Sequence, residues 1–135
     1  MKKITIFSLS LFITLPALAF ASADLDLWRA CNAGNLEAAK TAVGQGADVN
    51  SKNPDGETSL QLAAIYRDLA EFLISKGADV NVKNRFGYTP LMTAISNNVQ
   101  DAATMYIDRG ADIFVEGQGG DTALFLAVLN KDADL

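Results

Sequence analysis

Gly77-Ala78-Asp79-Val80-Asn81, followed after five residues by Gly87-Tyr88-Thr89-Pro90-Leu91, is the stretch that decides the fold. A near copy precedes it, Gly46-Ala47-Asp48-Val49-Asn50 with Gly56-Glu57-Thr58-Ser59-Leu60. A looser copy follows, Gly110-Ala111-Asp112-Ile113-Phe114 with Gly120-Asp121-Thr122-Ala123-Leu124. The leading glycines stand at 46, 77 and 110 and the threonines at 58, 89 and 122, so both sets keep intervals of 31 and then 33 residues. Self-similarity at such a period predicts stacked supersecondary units that bury a continuous core only together.

Outward from this register, the first residues read differently. Lys2 and Lys3 precede an apolar run from Ile4 to Leu15, then Pro16 and the small residues Ala17, Ala19, Ala21, Ser22 and Ala23. This is the layout of a secretory signal peptide over residues 1–23, with Ala21-Ser22-Ala23 the preferred cleavage triplet and Ala19-Phe20-Ala21 the second. It predicts a periplasmic or secreted protein, without a membrane anchor once the leader is removed. Losing Lys2 and Lys3 leaves nine cations against sixteen acids, a formal charge of −7. Nucleic acid, which binds clustered Lys and Arg, is thereby disfavoured as a partner. The lone Cys31 cannot form an intramolecular bridge, so the fold must rest on packing.

The units share one grammar. Asp24 or Asp26 can cap a first helix that Gly34 ends, and a thin apolar side, Leu36, Ala39, Ala42 and Val43, carries the next. Pro54-Asp55-Gly56 presets a turn. Thr58 then caps a helix through its hydroxyl, with Leu60, Leu62, Ala63 and Ala64 inward. Leu69, Phe72 and Leu73 recur at helical spacing before Gly77. In the third unit Thr89 caps, Pro90 takes the first helical position, and Leu91 and Ala94 go inward. Asn98 stands where a left-handed residue is needed, and Ala102, Met105 and Tyr106 continue the stripe. The fourth begins at Thr122 with Leu124, Leu126 and Ala127.

Thr89-Pro90-Leu91-Met92-Thr93-Ala94 and Gly77-Ala78-Asp79-Val80-Asn81 together resemble the ankyrin repeat, and the resemblance extends over residues 24–135. It implies an all-α ankyrin-repeat solenoid of about four helix-turn-helix repeats with hairpin-like connecting loops. The approximate repeats are 24–52, 53–83, 84–116 and 117–135, the last incomplete. It also implies a protein-binding role without catalysis. Three departures bear on the geometry. The family's signature histidine is replaced by Gln61, Met92 and Phe125. The second unit lacks the two residues that the others carry as Gly34-Asn35 and Asn98-Val99, so that either its first helix unwinds early or its second starts late. Phe114 and Gly117-Gln118-Gly119-Gly120 replace the asparagine and the stiffer turn of the earlier loops.

With no histidine, one cysteine and scattered acids, the chain offers neither a general base of the commonest kind nor a zinc or calcium spacing. No catalytic, cofactor or metal residue is assigned. An enzyme or redox factor built on Cys31 is the competing class. The resemblance places partner contacts on the loop tips and first-helix faces. Here these comprise Lys52, Pro54, Asp55 and Glu57; Lys83, Arg85, Phe86 and Tyr88; Ile65, Tyr66, Ser96 and Asn97; and Glu116, Gln118 and Asp121. Lys52, Tyr66, Lys83, Arg85, Phe86 and Tyr88 are the candidate partner-binding residues. Tyr66, Arg85, Phe86 and Tyr88 are expected to form the centre, since aromatic and arginine anchors dominate interface energies. The alternative role is a self-associating subunit of an envelope assembly, joined through its uncapped last repeat.

Overall fold

The computed structural model describes residues 22–133, with side chains to residue 131. The leader reading therefore falls outside the described residues except at Ser22 and Ala23, as does Leu135 at the other end.

Among the described residues seven helices follow in order: α1 (22–33), α2 (Leu36–Gly44), α3 (Ser59–Leu62), α4 (Arg67–Ser75), α5 (Pro90–Ser96), α6 (Gln100–Asp108) and α7 (Ala123–Ala133). First helices α3, α5 and α7 pack in one row and second helices α2, α4 and α6 in another. The described residues contain no β-strand, only an isolated antiparallel bridge between Lys52 and Thr58 at the base of a connecting loop. This is the stacked helix-turn-helix solenoid expected from the period.

Each residue of the Gly-Ala-Asp-x-Asn stretch has a separate physical task. Gly46, Gly77 and Gly110 all have positive φ, 97°, 94° and 85°, which only glycine adopts without steric cost. The two amides that follow each second helix then close its end. In the middle copy Gly77 N–H donates to Ile74 O at 3.0 Å and Ala78 N–H to Leu73 O at 3.0 Å. Ala78 tucks its methyl into the core, and the Asp79 carboxylate turns the chain by accepting the Asn81 N–H at 2.9 Å. The asparagine reaches forward one repeat. Asn50 Oδ1 accepts the Asp79 N–H at 2.9 Å, and Asn81 Oδ1 accepts the Asp112 N–H at 2.7 Å. Asp24 starts the same ladder, its Oδ1 accepting the Asp48 N–H at 2.8 Å. Phe114 occupies the next rung position and stands 82 % exposed.

The two-residue deletion is absorbed by the first helix. α4 begins on schedule at Arg67, whereas α3 stops at Leu62 and the chain turns through Ala63, Ala64 and Ile65. Tyr106, fully buried on α6, compensates by donating its hydroxyl to Ala64 O at 3.1 Å. Burial alone pushes its phenol pKa upward, which keeps the hydroxyl a donor. Tyr66 fills the other part of the gap. Its ring lies where a Cβ on Gly34 would sit, 2.7 Å from that position.

The two threonine caps differ in closeness. Thr89 Oγ1 accepts the Met92 N–H at 3.4 Å, whereas the buried Thr58 Oγ1 faces the Gln61 N–H in a capping box without a well-formed hydrogen bond. α3 is a single turn, and its start is secured instead from the other direction, Gln61 Oε1 accepting the Thr58 N–H at 3.0 Å.

The core is a column of matched positions. Leu27, Leu60 and Leu91 are fully buried, with Ala30, Ala63 and Ala94 stacked beside them. Leu124 occupies the same position in the fourth unit but is 73 % exposed, as nothing among the described residues covers the outer side of α7.

Candidate partner-binding surface

The loop after Asn81 is shaped by one side chain. Asn84 Oδ1 accepts the N–H groups of both Phe86 and Tyr88 at 3.0 Å, while its own N–H donates to Tyr88 O at 3.0 Å. Asn53 does the same for Asp55 and Glu57 in the preceding loop. Short polar side chains that bond their own following backbone make such turns stiff. The stiffness matters because it fixes what stands at the tip.

At that tip, Arg85 and Phe86 remain in solvent. Phe86 is 53 % exposed and the Arg85 guanidinium lies over its ring, 5.0 Å from the centroid. The stacking is worth about 0.5–1 kcal/mol at an exposed site and holds both groups as one plane-faced unit. Lys83 is exposed on the same loop and Lys52 on the loop before it, so three cations line adjacent tips of an acidic protein.

Tyr88 has another role. Its ring rests against the Gly117 backbone, where an added Cβ would meet ring carbons at 2.6 and 2.8 Å. Its hydroxyl donates to Asp121 Oδ2 at 2.6 Å, and this bond, with some desolvation, holds the phenol above its ordinary pKa. Gln118 completes the clasp: its N–H donates to Phe86 O at 3.0 Å and its Nε2 to Arg85 O at 2.6 Å. The glycine-rich loop is thus a seat for Tyr88, which explains why no asparagine stands at 117. The last loop in turn grips the backbone that carries Arg85 and Phe86.

Tyr66 lies apart from this cluster. It sits at the turn between α3 and α4, beside Gly34, Leu36 and Asp101, whereas the loop tips adjoin the opposite ends of the first helices. The structure therefore brings Lys83, Arg85, Phe86 and Tyr88 onto one loop, half-buries Tyr88, and leaves Tyr66 elsewhere as packing for the shortened repeat. Of the four residues expected at the centre, Arg85 and Phe86 are the two that stand exposed together at one loop tip.

A second concavity was not foreseen. Leu25, Trp28, Arg29 and Asn32 of α1 face Asn53, Pro54, Asp55, Glu57 and Leu62 across a groove of about 320 Å³. Trp28 takes the place that Gln61 and Met92 hold in later units, so aligning the first helix with the others would have revealed it. The groove continues the first-helix face toward the start of the stack.

Catalytic chemistry finds little footing. Cys31 is buried between α1 and α3, and burial pushes its thiol up to about 12; the adjoining Ser59 hydroxyl, which makes no well-formed hydrogen bond, offsets this slightly. A thiol so placed is almost entirely protonated at neutral pH and is a poor nucleophile. Among the described residues no cluster of His, Cys, Asp and Glu could hold a metal ion, and no helix is long and apolar enough to cross a membrane.

No curated protein matches the chain. A protein-family profile described as "Ankyrin repeats (3 copies)" matches residues 27–117 and 77–135, which together span 27–135. Domains of this family generally mediate protein–protein interaction and are typically non-enzymatic. Its register, its Gly-Ala-Asp-x-Asn junctions and its two rows of helices agree with that match, and the chain belongs to the ankyrin-repeat family.

Proposed function

We propose that the protein binds another protein in the bacterial periplasm or cell envelope, with Arg85 and Phe86 as the centre of the contact and Lys52 and Lys83 on its rim. The observation that carries this reading is the exposed Arg85–Phe86 pair on a loop held from both sides, by Asn84 and by Gln118. A rigid aromatic–arginine unit loses little freedom on binding, which is the property that makes such pairs interface anchors. The leader-like layout of residues 1–23 supports the compartment. The double variant Arg85→Ala/Phe86→Ala should lose roughly 2 kcal/mol or more of partner affinity, about thirty-fold. Quantitative capture from an envelope extract by wild-type and variant chains checks this, with far-UV circular dichroism expected unchanged. Equal capture by both would remove the assignment.

A second reading is favoured by the outer side of α7, where Leu124, Phe125, Val128 and Leu129 are all exposed. Beside it, Ile95, Val99, Ala103 and Ala127 floor a groove of about 400 Å³. Exposed apolar area of this kind marks an association surface. Self-association through it predicts a concentration-dependent mass in sedimentation equilibrium; a monomer across the micromolar range would discard this reading.

A further inference from the structure

The side of each unit that faces the next one is polar at one position until the fourth unit, where it turns apolar. In the third unit Asn81 Oδ1 accepts the Asp112 N–H at 2.7 Å, and Met92 Cε lies 3.5 Å from where a Cβ on Gly117 would sit. Both residues thus face forward onto the fourth unit. One period on, the same two positions are held by Phe114 and Phe125, which are 82 % and 49 % exposed. We infer that this end of the stack docks face to face on a second copy of the same chain about a two-fold axis, burying Phe114, Leu124, Phe125, Val128 and Leu129 between the copies. This rests on the self-association reading and goes beyond it by adding Phe114 and by fixing the assembly as a closed pair.

Four observations select a second copy as the occupant. The first is the rung at 114. Asn50 and Asn81 each accept an amide from the following junction, whereas a phenylalanine side chain accepts nothing. A further unit stacked here in the same register would bury an amide without its partner, which is costly. The second is area. With about 200 Å² for each large apolar side chain, the exposed fractions of these five leave roughly 600 Å² of apolar surface per chain. Two such faces together reach about 1,200 Å², where specific interfaces begin and where pairs separate readily on dilution.

The third is charge. Two copies of an acidic chain repel wherever acids face acids. From Ala123 to Asn130 α7 has no ionisable residue, and neither has the segment 113–115, so the centre of the contact brings no like charges together. The fourth is the opposite end of the stack. The outer side of the first unit presents a groove of about 560 Å³ in which alanines lie among Asp26, Arg29, Asn35, Thr41 and Gln45, with no large apolar side chain. That surface is no match for the apolar end, so head-to-tail growth finds no complementary seat. An apolar face matched only by itself closes as a two-fold pair.

Sedimentation equilibrium of the chain, as a bacterial host accumulates it, reads the assembly. Over the micromolar range the mass should climb toward twice that of the chain and level there. Phe114→Asn restores the residue of the earlier rungs at an exposed position; it should weaken the pair about ten-fold or more and leave circular dichroism unchanged. Leu124→Asp puts an acid in the first turn of α7, where the helix dipole favours it. This variant should stay monomeric and should form no mixed pair with the wild-type chain, because a two-fold contact needs both faces intact. A wild-type monomer at every concentration, or association that survives Leu124→Asp, overturns the inference together with the self-association reading. A mass that keeps climbing past two chains, a Leu124→Asp chain that joins the wild type, or a pair unmoved by Phe114→Asn overturns the inference and leaves self-association standing.

Discussion

Leu60→Ala and Leu91→Ala should each lower the unfolding free energy by about 2–5 kcal/mol, whereas Leu124→Ala should change it by less than about 1 kcal/mol. The three leucines hold the same motif position, so sequence alone gives them one cost. The structure gives them two. Leu60 and Leu91 are fully buried, and truncation removes transfer energy and leaves a cavity that neighbouring helices cannot close. Leu124 lies 73 % exposed on the uncovered side of α7, where truncation leaves no cavity. Urea unfolding followed by circular dichroism measures the size of each loss, and Trp28 fluorescence reports whether it spreads. Spread is expected for Leu60→Ala in particular, because repeats are stabilised by their nearest neighbours and α1 lies one unit away. A Leu124→Ala cost equal to that of Leu91→Ala would show that α7 is covered in solution.

The same contrast shows what kind of information the sequence carries. Gly77, Ala78, Asp79 and Asn81 were legible because each acts through its own backbone or through the next unit at a fixed interval, so that recurrence exposes the rule. Asn98 was legible for a similar reason: it is the one non-glycine with positive φ among the described residues, 57°, and it stands where Gly34 stands in the first unit. The deletion was visible, but its outcome depended on contacts far along the chain. Tyr106 reaches Ala64 across 42 residues and Tyr66 covers Gly34, and neither contact leaves a trace in local pattern. Tyr88 misleads for the same reason. An aromatic at a loop tip reads as an anchor until Gly117 and Asp121, about thirty residues on, are found beneath it. Arg85 and Phe86 stay exposed, because nothing among the described residues folds back over their side chains. Whether a partner covers them is a property of the partner, which no residue of this chain encodes.

Gln61 offers the sharper test of how the candidate surface is held. Its Oε1 accepts the Thr58 N–H at 3.0 Å, and its Nε2 faces both Val82 O and Tyr88 O at 3.4 Å. One amide thus secures the start of α3 and ties it to both ends of the loop that carries Lys83, Arg85 and Phe86. Gln61→Met is the informative change, because methionine fills similar volume and already serves at the matching Met92, so the cost isolates the hydrogen bonds. Leaving the buried Thr58 N–H unpaired should cost about 1–3 kcal/mol. The two long bonds add less, since carbonyls on a partly exposed loop can turn to water. The sum sits near the lower half of a core truncation, and Gln61→His should recover most of it, as imidazole can accept at one nitrogen and donate at the other. Denaturant unfolding gives the magnitude, and amide exchange gives the location: protection should fall between Val82 and Tyr88 in Gln61→Met and return in Gln61→His. If Gln61→Met were neutral and the loop stayed protected, Asn84 and the Gln118 clasp would be sufficient to hold the tip. If the loop loosens as expected, partner affinity should fall in Gln61→Met although Gln61 itself is buried, because a mobile Arg85–Phe86 pair must be ordered before it can bind.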